Sequence, residues 1–483
     1  MSTTYDWAAV ADFVGRDAEL GELDRWWKGS DPTPVSLYGR RRSGKSWLFR
    51  RFAHGKPAVI LVARRTAPGT QLADFADRLE PVLGVRPDLS NLEDLFRIIY
   101  RAARKHRMLV VIDEFPYLLP TTEVEIDREL SAVAAVMEEE RDQSRLKLIL
   151  CGSLVSQMES LLAERGPLHG RLRPLQLQPL GFSEARAFLT GLEPHAQFER
   201  FAIAGGMPRY LNALGTLDSL ADVLCERVLN PNSALWDEGR AILEQELREP
   251  KVYFSLLEEM STGDKRSAEL AAALRSDAQR LSKYLHVLES MRLTRRRVPI
   301  GVEPNSRNGQ WHLLDPFLRF WFRFVFPFQD DLESGLPGRR LYATEVEPVL
   351  NSHVAGEFEE FCRNWTRATQ PVTTVGPWWG ASLHELRRSG ARSTEEIDVV
   401  GRARGRVTLI GEARWRNSQM DLDYLREIEV FKLPALRQSG LTVTAKLTIL
   451  LFSRSGYTPG LRAAAAARED LVLVDIAEAL QRK

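Results

Sequence analysis

Residues 39–46, Gly39, Arg40, Arg41, Arg42, Ser43, Gly44, Lys45 and Ser46, have the types and spacing that hold a phosphate chain. The glycines let backbone N–H groups turn inward around an anion, Lys45 reaches the β- and γ-phosphates, and the Ser46 hydroxyl ligates Mg2+. An apolar run at residues 35–38 precedes the loop and reads as a strand. Trp47, Leu48 and Phe49 follow it and open a helix whose positive end faces the anion. The loop therefore implies nucleotide binding.

A second element supports it. After Arg107, residues 108–112 form an apolar run that ends in Asp113 and Glu114, as a buried parallel strand presents acids at its C-terminal edge. Asp113 is expected to hold Mg2+ and Glu114 to polarise the attacking water. ATP and Mg2+ are the cofactors this pairing requires.

These residues need a scaffold. At 483 residues the chain is too long for one core, and its length suggests about three domains. It is 44% hydrophobic and 27% charged, and 66 Lys plus Arg against 65 Asp plus Glu leave a net charge of +1. No global field points to nucleic acid or membrane, so such binding needs a local patch. The three cysteines, Cys151, Cys225 and Cys362, have no CxxC spacing, which argues against a disulfide framework or zinc ribbon and fits a reducing cytoplasm. Residues 1–14 include Asp6 and Asp12 and lack the basic start of a secretory signal. No apolar run is long enough to span a membrane.

Between residues 13 and 178, helical patterns (17–27, 46–53, 126–140) alternate with strand patterns (35–38, 58–63, 107–113, 147–151). That alternation predicts an α/β fold with a parallel sheet covered on both faces. Residues 182–247 read as helical, broken at Gly205, Gly206, Met207 and Pro208. Three short amphipathic helices (252–260, 267–274, 277–291) and two strand-like segments (293–298, 310–313) follow in the order of a winged helix-turn-helix. Arg275, Arg280, Lys283, Arg292, Arg295, Arg296 and Arg297 form a basic cluster there, suited to several phosphates of duplex DNA. The aromatics Phe317, Phe320, Trp321, Phe324 and Phe328 recur at helical spacing and read as packing. A charged connector at 329–340 leads to a block read as a helix, several strands between 372 and 409, a strand at 447–452 and an Ala-rich final helix.

The phosphate loop, the acidic strand end, residues 151–153, 168–173 and 205–208, and the run from Asp315 to Trp321 together resemble the archaeal-type AAA ATPases that also occur in bacteria. The likeness extends over residues 13–452. It implies a P-loop NTPase core (1–180), a helical lid (181–247), a winged helix-turn-helix (248–328), a linker (329–340) and a restriction-endonuclease-like domain (341–483). By resemblance, residues 13–16 form a leading turn near the adenine. Ser153 sits where the family senses the γ-phosphate, or caps the following helix. Arg171 and Arg173 lie where such ATPases present an arginine, in cis or from a neighbour.

In the last block Glu359, Asp398 and Glu412 resemble the helix acid and metal-binding acids of restriction-endonuclease-like nucleases, Asp398 and Glu412 being the metal ligands. Strand alternation puts Glu412 and position 414 on one face. The family's lysine is here Arg414, which cannot trade protons with water. Lys432, on the next helix, is the candidate substitute, and its approach to the two acids would favour cleavage. Three functions follow: an ATP-hydrolysing switch that engages double-stranded DNA, an ATP-gated Mg2+ nuclease acting against foreign DNA, or a nucleotide-sensing scaffold for a protein partner. Self-association fits each, and a membrane fits none.

Overall fold

The computed structural model describes residues 5–7, 13–164, 166–247, 250–303, 306, 308–383 and 394–481, so Asp12 lies outside the described residues. Two compact units are formed. One comprises residues 1–180 with 207–209 and 290–292; the other comprises 181–206, 210–289 and 293–483.

The first unit is built on five strands: β1 (Val35–Tyr38), β2 (Ala58–Val62), β3 (Met108–Asp113), β4 (Leu146–Gly152) and β5 (Arg173–Gln176). They run parallel in the order β2-β3-β4-β1-β5. Residues of β1, β3 and β4 are buried throughout, which is why these segments read as unbroken apolar runs. Lys147 in β4 is the exception in type, and its ammonium donates to the Gly29 and Asp31 carbonyls at 3.1 and 2.5 Å. Helices cover both faces. Phe75, Leu95, Phe96 and Ile99 join one core with Val110 and Ile112, and Leu48, Phe49 and Phe52 join the other with Leu109 and Val111.

β5 was not among the expected strands. Pro174 weakens its pattern, but a proline is tolerated in a strand that forms the sheet edge.

The second unit holds a helical stretch, a two-stranded wing and a second sheet. The helix Pro194–Ala204 ends at Gly205, whose φ of +62° favours glycine, and Pro208–Leu214 begins the next. The helices Pro250–Ser261, Ser267–Ala273 and Ala278–Ser290 are followed by β6 (Thr294–Arg297) and β7 (Gln310–Leu313), an antiparallel pair. The helix Pro316–Phe324 is capped by Asp315, which accepts from the Leu318 N–H at 2.9 Å. Phe317, Phe320, Trp321 and Phe324 are buried there as packing residues.

The second sheet has five strands, β8 (Thr374–Ala381), β9 (Thr394–Ala403), β10 (Arg406–Arg414), β11 (Val443–Ser453) and β12 (Leu471–Val474). Their order is β12-β11-β10-β9-β8, antiparallel among β8, β9 and β10 and parallel from β10 to β12. The helix Leu350–Thr369 packs Val354, Phe358 and Cys362 against Val399, Leu409 and Ala413 of this sheet. The Ala-rich helix Pro459–Ala466 is not the final element, because β12 and the helix Ile476–Gln481 follow it. Among the described residues no helix is long and apolar enough to cross a membrane.

Candidate functional sites

The C-terminal ends of β1, β3 and β4 gather the phosphate loop, Asp113 with Glu114, and Ser153, at the edge where parallel α/β sheets bind ligands. Two backbone features shape the loop. Gly44 has φ of +92°, and a Cβ on Gly39 would fall 2.4 Å from the Leu177 carbonyl oxygen, so both positions need glycine. Gly44 is also the N-cap of the helix Lys45–Ala53 and offers no side chain to its first N–H groups. Those donors remain for an anion. Arg16, buried with φ of +65°, fixes the loop from behind by donating to the Ser43 carbonyl at 3.0 Å and pairing with Glu19 at 2.9 Å.

The functional side chains converge. Ser46 Oγ lies 3.4 Å from Asp113 Oδ2. Lys45 Nζ, nearly buried, donates to the carbonyls of Gly39 at 2.7 Å and Arg40 at 3.0 Å. Burial pulls its ammonium below the ordinary value, and burial pushes the Asp113 carboxyl up, against the Cys151 thiol and Lys45. Among the described residues the Ser43 hydroxyl is buried without a hydrogen-bond partner. A buried ammonium held by two carbonyls, an unsatisfied hydroxyl among the described residues and uncapped amides fit a polyphosphate. The Ser46 and Asp113 oxygens fit an accompanying Mg2+.

Glu114 has φ of +54°, and its Oε2 accepts from the Ser153 hydroxyl at 2.9 Å and the Ser153 N–H at 3.1 Å. Ser153 caps no helix, since the helix Val155–Leu161 starts after Leu154 without a side-chain cap. The two candidate arginines lie apart from the loop within their own chain. Arg173 is in register with Val35, at the opposite end of β1 from the phosphate loop, and pairs with Glu22 at 2.8 Å. Arg171 pairs with Glu138 at 3.6 Å, near the end of the helix Glu123–Glu140 that leads away from the acidic strand end. Neither reaches the phosphate loop of its own chain.

Tyr117, not among the expected site residues, joins them: its hydroxyl accepts from Arg41 Nη2 at 2.9 Å. Only the short spacing from Glu114 pointed to it.

In the second unit, Asp398 of β9 and Glu412 and Arg414 of β10 meet as alternation predicts, and Lys432 joins them from the π-helical turn Ile428–Lys432. The ammonium of Lys432 lies 2.7 Å from Glu412 Oε1. One guanidinium spans both acids: Arg414 Nη1 is 3.0 Å from Asp398 Oδ2 and Nη2 is 2.7 Å from Glu412 Oε2. The Ala413 N–H donates to the same Asp398 oxygen at 2.9 Å. Burial and the Asp398 charge raise the Glu412 carboxyl to about 7, against the pull of Lys432 and Arg414. Burial and Asp398 likewise push Glu359 up to about 8.

These residues do not fit a divalent cation shared by Asp398 and Glu412, because Arg414 already links the two carboxylates. Among the described residues no group of three or more His, Cys, Asp or Glu side chains is placed to hold a metal. In this structure Arg414 and Lys432 stand at the two acids where a metal was expected. Arginine supplies the positive charge instead.

Comparison with known proteins matches this geometry. Residues 13–214 match the model of an ATPase domain predominantly from Archaea, and residues 321–425 match a family of archaeal and bacterial proteins of unknown function. An uncharacterized protein of Methanocaldococcus jannaschii is 24% identical over 415 residues, covering 84% of this chain and 88% of the relative. An uncharacterized ATP-binding protein of the same organism is 40% identical over 47 residues, covering 10% of this chain and 80% of the relative. The Walker-type ATPase of Pyrococcus abyssi superposes with a TM-score of 0.50 at 18% identity, covering 65% of this chain and 97% of that one. Residues 13–214, which carry the parallel sheet, phosphate loop and acidic strand end, thus belong to the archaeal-type P-loop ATPase domain family, and residues 321–425 to the archaeal and bacterial family of unknown function.

Proposed function

We propose that the chain is an ATP-hydrolysing switch whose nucleotide state governs engagement of double-stranded DNA by its second unit. The observation that carries the reading is the convergence of Lys45, Ser46, Asp113 and Glu114 at one sheet edge. The amides of residues 39–44 wrap the phosphates, Lys45 neutralises the β- and γ-phosphate oxygens, and Ser46 and Asp113 hold Mg2+. When bound, Mg2+ supplies positive charge between those phosphates. Glu114 takes up the attacking water once it leaves Ser153, and Ser153 then faces the γ-phosphate.

The supporting feature for DNA is the winged helix-turn-helix order, with Arg275, Arg280, Lys283 and Arg295 exposed. We assign no cleavage step to the C-terminal block. Lys432 does approach Glu412, as cleavage would want, yet Arg414 occupies the place between the acids.

Lys45→Ala is the test of the central reading. The expected result of calorimetric titration with Mg2+ and ATP is uptake by the wild-type protein and at least about a hundredfold weaker uptake by the variant, the loss of a buried charge-assisted contact to phosphate. Full turnover by Lys45→Ala overturns the assignment.

A further inference from the structure

With Arg171 and Arg173 engaged elsewhere, the phosphate loop itself offers an arginine. Among the described residues Arg41 has no carboxylate partner, and its Nε is buried without a hydrogen-bond partner. The sheet order places β4 between β1 and β3. Arg41 follows β1, yet its Nη2 donates to Tyr117, which follows β3. Its side chain therefore crosses the end of β4, where Ser153 and Glu114 meet. Its charge also reaches Lys45 and helps depress that ammonium. Two cations this close in one loop repel unless an anion stands between them.

We propose that Arg41 is the catalytic arginine of this ATPase unit, supplied by the same chain from within its phosphate loop and placed against the γ-phosphate oxygens. The proposal rests on the ATP-binding reading above. In the hydrolysis step water forms a new bond to the γ-phosphorus while the bond to the β–γ bridging oxygen breaks and its electron pair leaves on ADP. The water proton passes to Glu114 and from there to solvent. Arg41 changes no bond. Its planar fork meets the charge that spreads over the equatorial oxygens, which lowers the barrier without tightening the ground state.

The experiment measures ATP affinity and steady-state hydrolysis separately for wild type, Arg41→Ala, Arg41→Lys and Lys45→Ala, with melting temperatures as a folding check. Arg41→Ala is expected to lose on the order of a thousandfold in kcat while ATP Kd moves by no more than about threefold. Arg41→Lys, which keeps charge but not the fork, is expected to bind ATP normally and remain slow. A mixture of Arg41→Ala with Lys45→Ala is expected to stay inactive, because the arginine acts on its own chain's nucleotide. Wild-type kcat in Arg41→Ala, affinity lost in parallel with turnover, or recovery in the mixture each overturns the proposal while ATP binding stands. Wild-type protein that takes up no ATP removes the reading beneath it, and the proposal with it.

Discussion

At position 414 the residue type decides how the two acids of the C-terminal block are joined. A lysine at position 414 would present one point charge and leave room between Asp398 and Glu412. Arg414 instead spreads a permanent charge over a rigid fork and bonds both acids at once. We therefore expect supercoiled plasmid incubated with the protein, Mg2+ and ATP to remain intact over hours. Nicking that requires Mg2+ and disappears in Asp398→Ala would show that Arg414 moves aside, and would restore the nuclease reading. Residue identity made this much legible in advance, because alternation along a strand fixes that positions 412 and 414 share a face. The approach of Lys432 was only an option, since its residue lies 18 positions beyond Arg414 and nothing local dictates that a helical turn brings it back.

At the scale of elements, the three helices and the wing were legible because each carries its own amphipathic rhythm and its own stop. The helix Pro316–Phe324 announced itself likewise through Asp315, Pro316 and evenly spaced aromatics. What a linear pattern could not tell is which of the clustered basic residues remain available. Arg297 is drawn inward by Asp264 and Glu360, at 3.4 and 3.2 Å, and so leaves the set of phosphate contacts. Arg280 and Lys283 stay exposed on the helix Ala278–Ser290. Fluorescence anisotropy with duplex DNA across a salt series is expected to give a steep slope. Each of Arg280→Ala and Lys283→Ala should reduce that slope by about 0.9 in log Kd against log salt. Weak binding with little salt dependence would instead favour a scaffold for a protein partner. The edge strand β5 is hard to read for a related reason: Pro174 masks its pattern, so nothing local places Arg173 at the start of a strand beside Val35.

At the scale of the whole molecule, ionisable groups shifted in opposite directions set how stability varies with pH. Glu359 and Glu412 are both raised above the ordinary glutamate value, so the folded state holds protons that the unfolded chain has released from about pH 4.5 upward. Their contribution is complete at lower pH and is lost as pH rises through about 8 and about 7. His312 works the other way: burial drops it to about 4, so stability falls as acid drives the unfolded histidine to charge first. Asp264, held low by His312 and Arg297 against burial, adds to the loss on further acidification. Glu359→Gln is expected to narrow the fall in melting temperature between about pH 5 and pH 8.5, with Glu412 accounting for what remains. An unchanged or larger fall would mean that Glu359 ionises at its usual value.

The clasp of Ser153 on Glu114 sets the tempo in the proposed cycle. In that cycle the carboxylate surrenders its two Ser153 donors before it takes up water. Hydrolysis then waits on that release, so the triphosphate form persists by default. In the proposed cycle that contact acts as a timer, and loss of the Ser153 hydroxyl would shorten the interval.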